Sequence, residues 1–279
     1  MTSVRLIAID LDGTLLTSRG EISPENRAAI QEAAAEGAQI VIVTGRRFDS
    51  ALRYAEELGL GTVLISSNGA RISATSGEVY FRNFLPQETA RQVIQAAREF
   101  LGYAVVIFDV SGPGQLLMER GAAADGPAGW YLRARQNMLG QITSLAEAIR
   151  SDPVQVMFGG PPGVIDPVES VLRASPVASS CHFTWTRYLQ RDRSLFDVLN
   201  QGCSKGSALA RWAARCGIQP EEVMAVGDNQ NDLEMLEFAG HPVLMSNHNY
   251  GQAPDGWKVT LSNDEDGVAE AIRRYALRR

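Results

Sequence analysis

Short apolar runs alternate with amphipathic segments through the first 66 residues. Val4–Ile9 is a near-continuous apolar run, the pattern of a strand covered on both faces. After it, Ser23 is placed to cap a helix whose first turn accepts Pro24 and whose end is marked by Gly37. Gln39–Val43 reads as a second buried strand, Phe48–Leu58 as a helix stopped by Gly59, and Thr62–Ser66 as a third strand. This strand–helix–strand rhythm predicts a parallel sheet with helices on both faces. It resumes near the end as helix Lys205–Cys216, strand Val223–Val226, helix Asp232–Phe238, strand Val243–Met245 and a closing helix Asp266–Leu277.

The middle of the chain breaks that rhythm. Pro and Gly cluster at Gly112–Gly114, Gly126–Gly129 and Gly159–Gly163. Pro86–Leu101 predicts a helix, Tyr103–Phe108 and Gln115–Glu119 a hairpin, and Val154–Phe158 and Cys181–Thr186 further strands. The pattern therefore predicts an α/β protein with a Rossmann-like parallel-sheet core in residues 1–82 and 193–279. A second α/β domain, residues 83–192, is inserted into it. No internal repeat or low-complexity segment is present.

A length of 279 residues suits one large domain or two ordinary ones, and 45% hydrophobic with 21% charged residues excludes a mainly disordered chain. The net charge of −6 gives no electrostatic footprint for nucleic acid. No apolar run approaches the ~18 residues of a membrane span, and Asp10 falls too early for a signal peptide. The expectation is a cytoplasmic protein. Cys181, Cys203 and Cys216 are odd in number and contain no C-x-x-C spacing, so reduced thiols are expected rather than a disulfide framework or zinc site. Among 26 basic residues only Lys205 and Lys258 are lysines, which draws attention to each.

In open parallel sheets ligands bind beyond the carboxyl ends of the strands, and the polar residues of interest lie there. Strand one runs into Asp10-Leu11-Asp12-Gly13-Thr14, where Asp10 and Asp12, two apart in an extended chain, can face one space. Strand two ends in Thr44-Gly45-Arg46, a hydroxyl and a glycine amide suited to phosphate oxygens. A later strand runs into Gly227-Asp228-Asn229-Gln230-Asn231-Asp232, with Asp228 and Asp232 four apart. At ~4 Å each like-charged pair costs about 4 kcal/mol at an effective dielectric near 20. Carboxylates gathered without histidine or cysteine point to Mg²⁺ rather than zinc. Lys205 begins a helix and offers a compact point charge for one carboxylate and one phosphate oxygen.

This ordered set, D-x-D-G-T, then hydroxyl-Gly-Arg, then lysine, then G-D-x-x-N-D, resembles the four motifs of haloacid dehalogenase superfamily phosphatases. The insertion between the second and third motifs, Ser67-Asn68-Gly69-Ala70 after the third strand, and Ser262–Ala269 near the end resemble the Cof-type subgroup, whose inserted α/β domain is a cap that selects substrate. The resemblance implies that Asp10 is the nucleophile and Asp12 the general acid and base. It implies that Thr44, Gly45, Lys205 and Asn231 hold phosphate, and that Asp10, the Asp12 carbonyl, Asp228 and Asp232 form the Mg²⁺ site, Asp232 either as a ligand or behind one. The substrate is then a small phosphate ester, a sugar phosphate first, handled by a monomer or homodimer without nucleic acid or membrane. A phosphomutase and a catalytically idle binding protein are the alternatives.

One stretch departs from the family pattern. Met245-Ser246-Asn247-His248 replaces the usual Met-Gly-Asn-Ala and leaves the loop's contacts, and His248 as a substrate contact or surface residue, open. In the cap, Asp109, Glu119, Trp130, Trp185 and Arg187 are the candidates to meet substrate. Arg273, Arg274, Arg278 and Arg279 read as a solvated helix end.

Overall fold

The computed structural model describes residues 3–120, 129–133, 135–188, 192–248 and 251–277. The chain forms two compact units, Met1–Arg82 with Ser204–Arg279, and Asn83–Cys203. In the first unit, strands β1 (Leu6–Ile9), β2 (Gln39–Val43), β3 (Val63–Ser66), β4 (Arg71–Ala74) and β5 (Val79–Arg82) precede the insertion. The second unit supplies β6 (Ala104–Ile107), β7 (Leu116–Glu119), β8 (Leu139–Ile142), β9 (Gln155–Gly160), β10 (Cys181–Tyr188) and β11 (Arg193–Asn200). The first unit then resumes with β12 (Val223–Gly227), β13 (His241–Leu244) and β14 (Lys258–Val259). Its helices are α1 (Pro24–Ala35), α2 (Phe48–Leu58), α7 (Lys205–Arg215), α8 (Leu233–Phe238) and α9 (Gly267–Ala271), and those of the insertion are α3 (Gln87–Ala96), α4 (Gly129–Arg133), α5 (Leu145–Ala148) and α6 (Pro162–Arg173).

The first unit's sheet runs β14-β13-β12-β1-β2-β3-β4-β5, parallel from β14 to β3 and antiparallel at the β4–β5 edge. Side chains alternate across a strand, so the apolar run of β1 divides by parity. Ile7 and Ile9 pack under Ala29, Ile30 and Ala33 of α1 and Val268 and Ala269 of α9. Leu6 and Ala8 face the opposite layer with Ala208, Leu209 and Trp212 of α7. The predicted helix punctuation holds: the Ser23 hydroxyl accepts from the Asn26 amide at 3.1 Å, and Gly59 ends α2 in the left-handed conformation at φ 70°. Closing helix α9 passes into a π-helical turn over Ile272–Ala276. Arg273 pairs with Glu25 at 3.0 Å, while Arg278 and Arg279 lie outside the described residues.

The insertion has its own sheet, ordered β10-β11-β9-β6-β7-β8, antiparallel except between β7 and β8. Val93 and Ile94 of α3 and Ile165, Val168 and Leu172 of α6 bury one face of it with Val106, Val156, Phe158 and Phe196. The chain returns to the first unit at Ser204, later than the sequence boundary at residue 193. The reason is pairing: β11 is antiparallel to β10 from Arg193 to Asn200 and to β9 on its other side, which binds it into the inserted sheet. The Gly126–Gly129 cluster lies outside the described residues apart from Gly129.

None of the three cysteines is in a disulfide, and burial pushes the Cys181 thiol up to about 11. Among the described residues no helix is long and apolar enough to cross a membrane.

Candidate active site

Because β1 is central, with β2 and β12 as its neighbours, the residues following all three strands emerge side by side. Asp10 follows β1, Thr44 follows β2, and Asp228 follows β12; each is buried. Gly13 turns the chain after Asp10 at φ 85°, and a Cβ there would lie 2.5 Å from Asp228 Oδ2. Glycine at that position therefore lets the Asp-x-Asp-Gly-Thr turn close onto the Asp228 carboxylate. Thr14 Oγ1 seals the approach by donating to Asp228 Oδ1 at 2.9 Å.

Lys205 is at the first turn of α7, behind a Ser204–Ser207 capping box that fixes the helix start. Its ammonium is buried and donates to Asp10 Oδ1 at 2.7 Å and Asp232 Oδ1 at 2.6 Å. The other Asp232 oxygen accepts the amides of Asp228 at 3.1 Å and Asn229 at 2.9 Å. Both oxygens of Asp232 are thus engaged, which makes it the anchor that holds Lys205 and the Asp228 turn. Asp10 Oδ2 and Asp228 Oδ2 accept no hydrogen bond among the described residues.

Charge explains the titration of this cluster. Burial pushes Asp10 up to about 7, opposed by Lys205 and reinforced by the neighbouring charges of Asp232 and Asp12. Asp228 is held well above the usual carboxylate range by burial and then by Asp232 and Asp10. Burial alone would lower Lys205, but Asp10 and Asp232 outweigh it and hold the ammonium above its ordinary value. With all three buried carboxylates ionised, the one buried ammonium would leave two negative charges uncompensated. Oxygen donors of Asp10, Asp228 and Asp232 lie within 4.8 Å of one another, so donor type, spacing and residual charge all fit a hard divalent cation such as Mg²⁺.

In the cation-free protein the folded Asp10 keeps a proton that the unfolded chain has lost above about 4, so stability falls as pH rises from about 4 to about 7. Added Mg²⁺ is expected to raise Tm more at pH 8 than at pH 5. Calorimetry at the two pH values checks this, and an equal shift at both would contradict it.

Asp12 does not join the buried cluster. It lies in the fork of Arg46, whose Nε and Nη2 donate to its two oxygens at 2.7 and 2.6 Å. The guanidinium also lies over the ring of Tyr54 at 5.0 Å, and Tyr54 donates to the Gly20 carbonyl at 3.3 Å. Thr44 Oγ1 accepts the Arg46 amide at 3.1 Å, while Asn231 Nδ2 donates to Asn68 Oδ1 at 3.0 Å. In the departing loop, Asn247 donates to the Gly13 carbonyl at 2.8 Å and accepts the Asn263 amide at 2.9 Å, so it braces the turn that carries Asp12. His248 closes that loop through its amide onto Met245 at 3.1 Å. Thr14, Arg46, Asn68 and Asn247 all lie in or beside the sequence motifs, and only their contacts, not their positions, were hidden from sequence reasoning.

The inserted unit's candidates are held by their own sheet and helices. Glu119 accepts the Leu145 amide at 2.9 Å, Trp185 donates to Glu169 at 2.7 Å, and Arg187 pairs with Asp166 at 2.9 Å while stacking on Trp185. Asp109 is half-buried, and the side chain of Trp130 lies outside the described residues.

Residues 7–272 match the haloacid dehalogenase-like hydrolases. The chain is 30% identical over 301 residues to Phosphatase YwpJ of Bacillus subtilis, covering 97% of this chain and 99% of that protein. It is 29% identical over 285 residues to the 5-amino-6-(5-phospho-D-ribitylamino)uracil phosphatase YwtE of the same organism, covering 96% and 97%. A crystal structure of a haloacid dehalogenase-like hydrolase from Bacteroides thetaiotaomicron superposes with a TM-score of 0.77 at 29% identity, over 98% of this chain and 99% of the other.

Proposed function

The chain belongs to the haloacid dehalogenase-like hydrolase family and is a phosphatase, and we propose that it hydrolyses small phosphorylated metabolites, sugar phosphates first, through an aspartyl-phosphate on Asp10. The observation that carries this reading is the Lys205 ammonium held between Asp10 and Asp232, which engages one Asp10 oxygen while the other accepts no hydrogen bond among the described residues.

In the first step an Asp10 carboxylate oxygen bonds to phosphorus as the ester P–O bond breaks, and the departing oxygen takes a proton from Asp12, which must first leave the Arg46 fork and take up that proton. In the second, water bonds to phosphorus, loses its proton to Asp12, and releases phosphate as the P–O bond to Asp10 breaks. Splitting the displacement in this way replaces one hard step by two easier ones. The Thr44 hydroxyl, the Gly45 amide and Asn231 hold phosphate oxygens, and Lys205 keeps Asp10 aligned. Asp10, the Asp12 carbonyl and Asp228 would hold Mg²⁺, with Asp232 positioning the set from behind. When bound, the cation offsets charge on the transferring group.

The substrate class draws on a relative: YwtE is named for a compound that carries its phosphate on a ribityl chain, a phosphorylated polyol. Selection among such esters is assigned to the inserted unit.

A panel of hexose, pentose and polyol phosphates, assayed for inorganic phosphate with and without EDTA, tests the reading. Release is expected that falls to background in EDTA and returns with Mg²⁺. Metal-independent release would refute the cation's role. An isomerised sugar phosphate in place of inorganic phosphate would make the protein a mutase.

A further inference from the structure

The Ser67-Asn68-Gly69 turn that follows β3 has no role in the chemistry above, yet it is the most unusual piece of backbone in the first unit. Its three residues take φ values of 51°, 53° and 99° in succession. A left-handed run containing two non-glycine residues persists only where its surroundings enforce it. All three are buried.

The enforcement comes from two of the sequence motifs. The Ser67 amide donates to the Arg46 carbonyl at 2.8 Å and the Asn68 amide to the Thr44 carbonyl at 3.0 Å, so the turn grips the Thr44-Gly45-Arg46 segment from both sides of Gly45. The Asn68 carboxamide then lies against Gly45 itself: a Cβ on Gly45 would sit 2.9 Å from Asn68 Oδ1. That same oxygen accepts from Asn231 Nδ2 at 3.0 Å. On the far side, a Cβ on Gly69 would lie 2.1 Å from the Ser204 carbonyl, immediately before Lys205.

We propose that Asn68 is a positioning residue of the phosphate pocket, orienting the Asn231 amide beside Gly45. The proposal rests on the phosphatase reading and deepens it. Asparagine is also common in left-handed turns for backbone reasons alone, so the decisive variant keeps the backbone and removes the amide. Asn68→Gly does this, since glycine accepts φ near 53° without penalty. A residue that only shapes the turn would lose nothing by the change.

The expected result is a Tm lowered by no more than about 5 °C, since the change leaves the buried Asn231 donor without its partner and loosens the unfolded chain, with KM for a hydrolysed ester and the inhibition constant of inorganic phosphate both increased about tenfold, the usual scale for losing one oriented hydrogen bond to a charged group. The effect on kcat is expected to be smaller. If Asn68 acts through Asn231, the Asn68→Gly/Asn231→Ala double variant binds phosphate no more weakly than Asn231→Ala alone.

Phosphate constants within twofold of wild type in Asn68→Gly would overturn the proposal. So would an unchanged phosphate constant in Asn231→Ala, a variant that does not alter the turn, or single effects that multiply in the double variant. Calorimetric titration with inorganic phosphate gives the same comparison without turnover. Absence of phosphate release by the wild-type enzyme would therefore defeat the phosphatase reading while still leaving Asn68 decided.

Discussion

Asp10→Asn is expected to lower kcat by on the order of 10⁴ or more while the protein stays folded. The asparagine matches the carboxylate in shape but cannot bond to phosphorus as a nucleophile at any pH. Folding should survive because the substitution removes a charge that burial already disfavours, to the extent of pushing Asp10 up to about 7. Lys205 keeps Asp232 as a partner at 2.6 Å. Steady-state kinetics with a thermal melt on the same sample check both halves. Normal turnover in Asp10→Asn would end the covalent reading, whatever the melt shows.

Lys205 carries the second large effect, and two substitutions separate its parts. Lys205→Arg keeps the charge, but the site is built for a point: the residue is 2% exposed and its ammonium lies between two oxygens at 2.7 and 2.6 Å. The helix start cannot retreat to admit a larger planar group, because a Cβ on the adjacent Gly206 would already meet the Glu234 backbone at 2.5 Å. A loss of at least about 10³ in kcat is expected. Lys205→Met also removes the charge and leaves three buried carboxylates facing one another. Breaking a buried ion pair from one side costs about 3–5 kcal/mol, or roughly 10 °C in Tm for a chain of this size. Near-normal activity in Lys205→Arg would show that an extended guanidinium fits after all. An unchanged Tm in Lys205→Met would show that protonation of the carboxylates compensates for the missing charge.

The sequence is most informative where physics leaves little choice. The run Gln39–Val43 has to be a strand buried on both sides, and Ile40 and Ile42 do pack on one layer while Val41 and Val43 pack on the other. Gly59 and Ser23 punctuate helices through local rules that need no tertiary partner. The motif residues are legible for the same reason: Asp10, Thr44 and Asp228 each end a strand. What escapes is non-local. The β4–β5 hairpin lies at a sheet edge, and its two four-residue strands are too short to carry a clear hydrophobic period. The return to the first unit depends on β11 pairing with β9 and β10, and nothing in Arg193–Asn200 announces which sheet will claim it. Within the site, spacing places Asp12 beside Asp10, but only the fold reveals that Arg46 takes both of its oxygens. The role of Asn247 is hidden in the same way, since its partners Gly13 and Asn263 come from opposite ends of the chain.

The position of β1 also governs how the molecule is made. Its neighbour on one side, β2, follows within a few dozen residues, but its other neighbour, β12, begins at Val223, after the whole insertion. A chain emerging from the ribosome at about 5–20 residues per second therefore carries one open side of this wholly apolar strand for on the order of ten seconds or more. Until then that edge offers unpaired amides and carbonyls to any strand nearby. Premature termination inside the insertion leaves the edge permanently exposed, and such fragments should be insoluble even though every residue of their first three strands is intact.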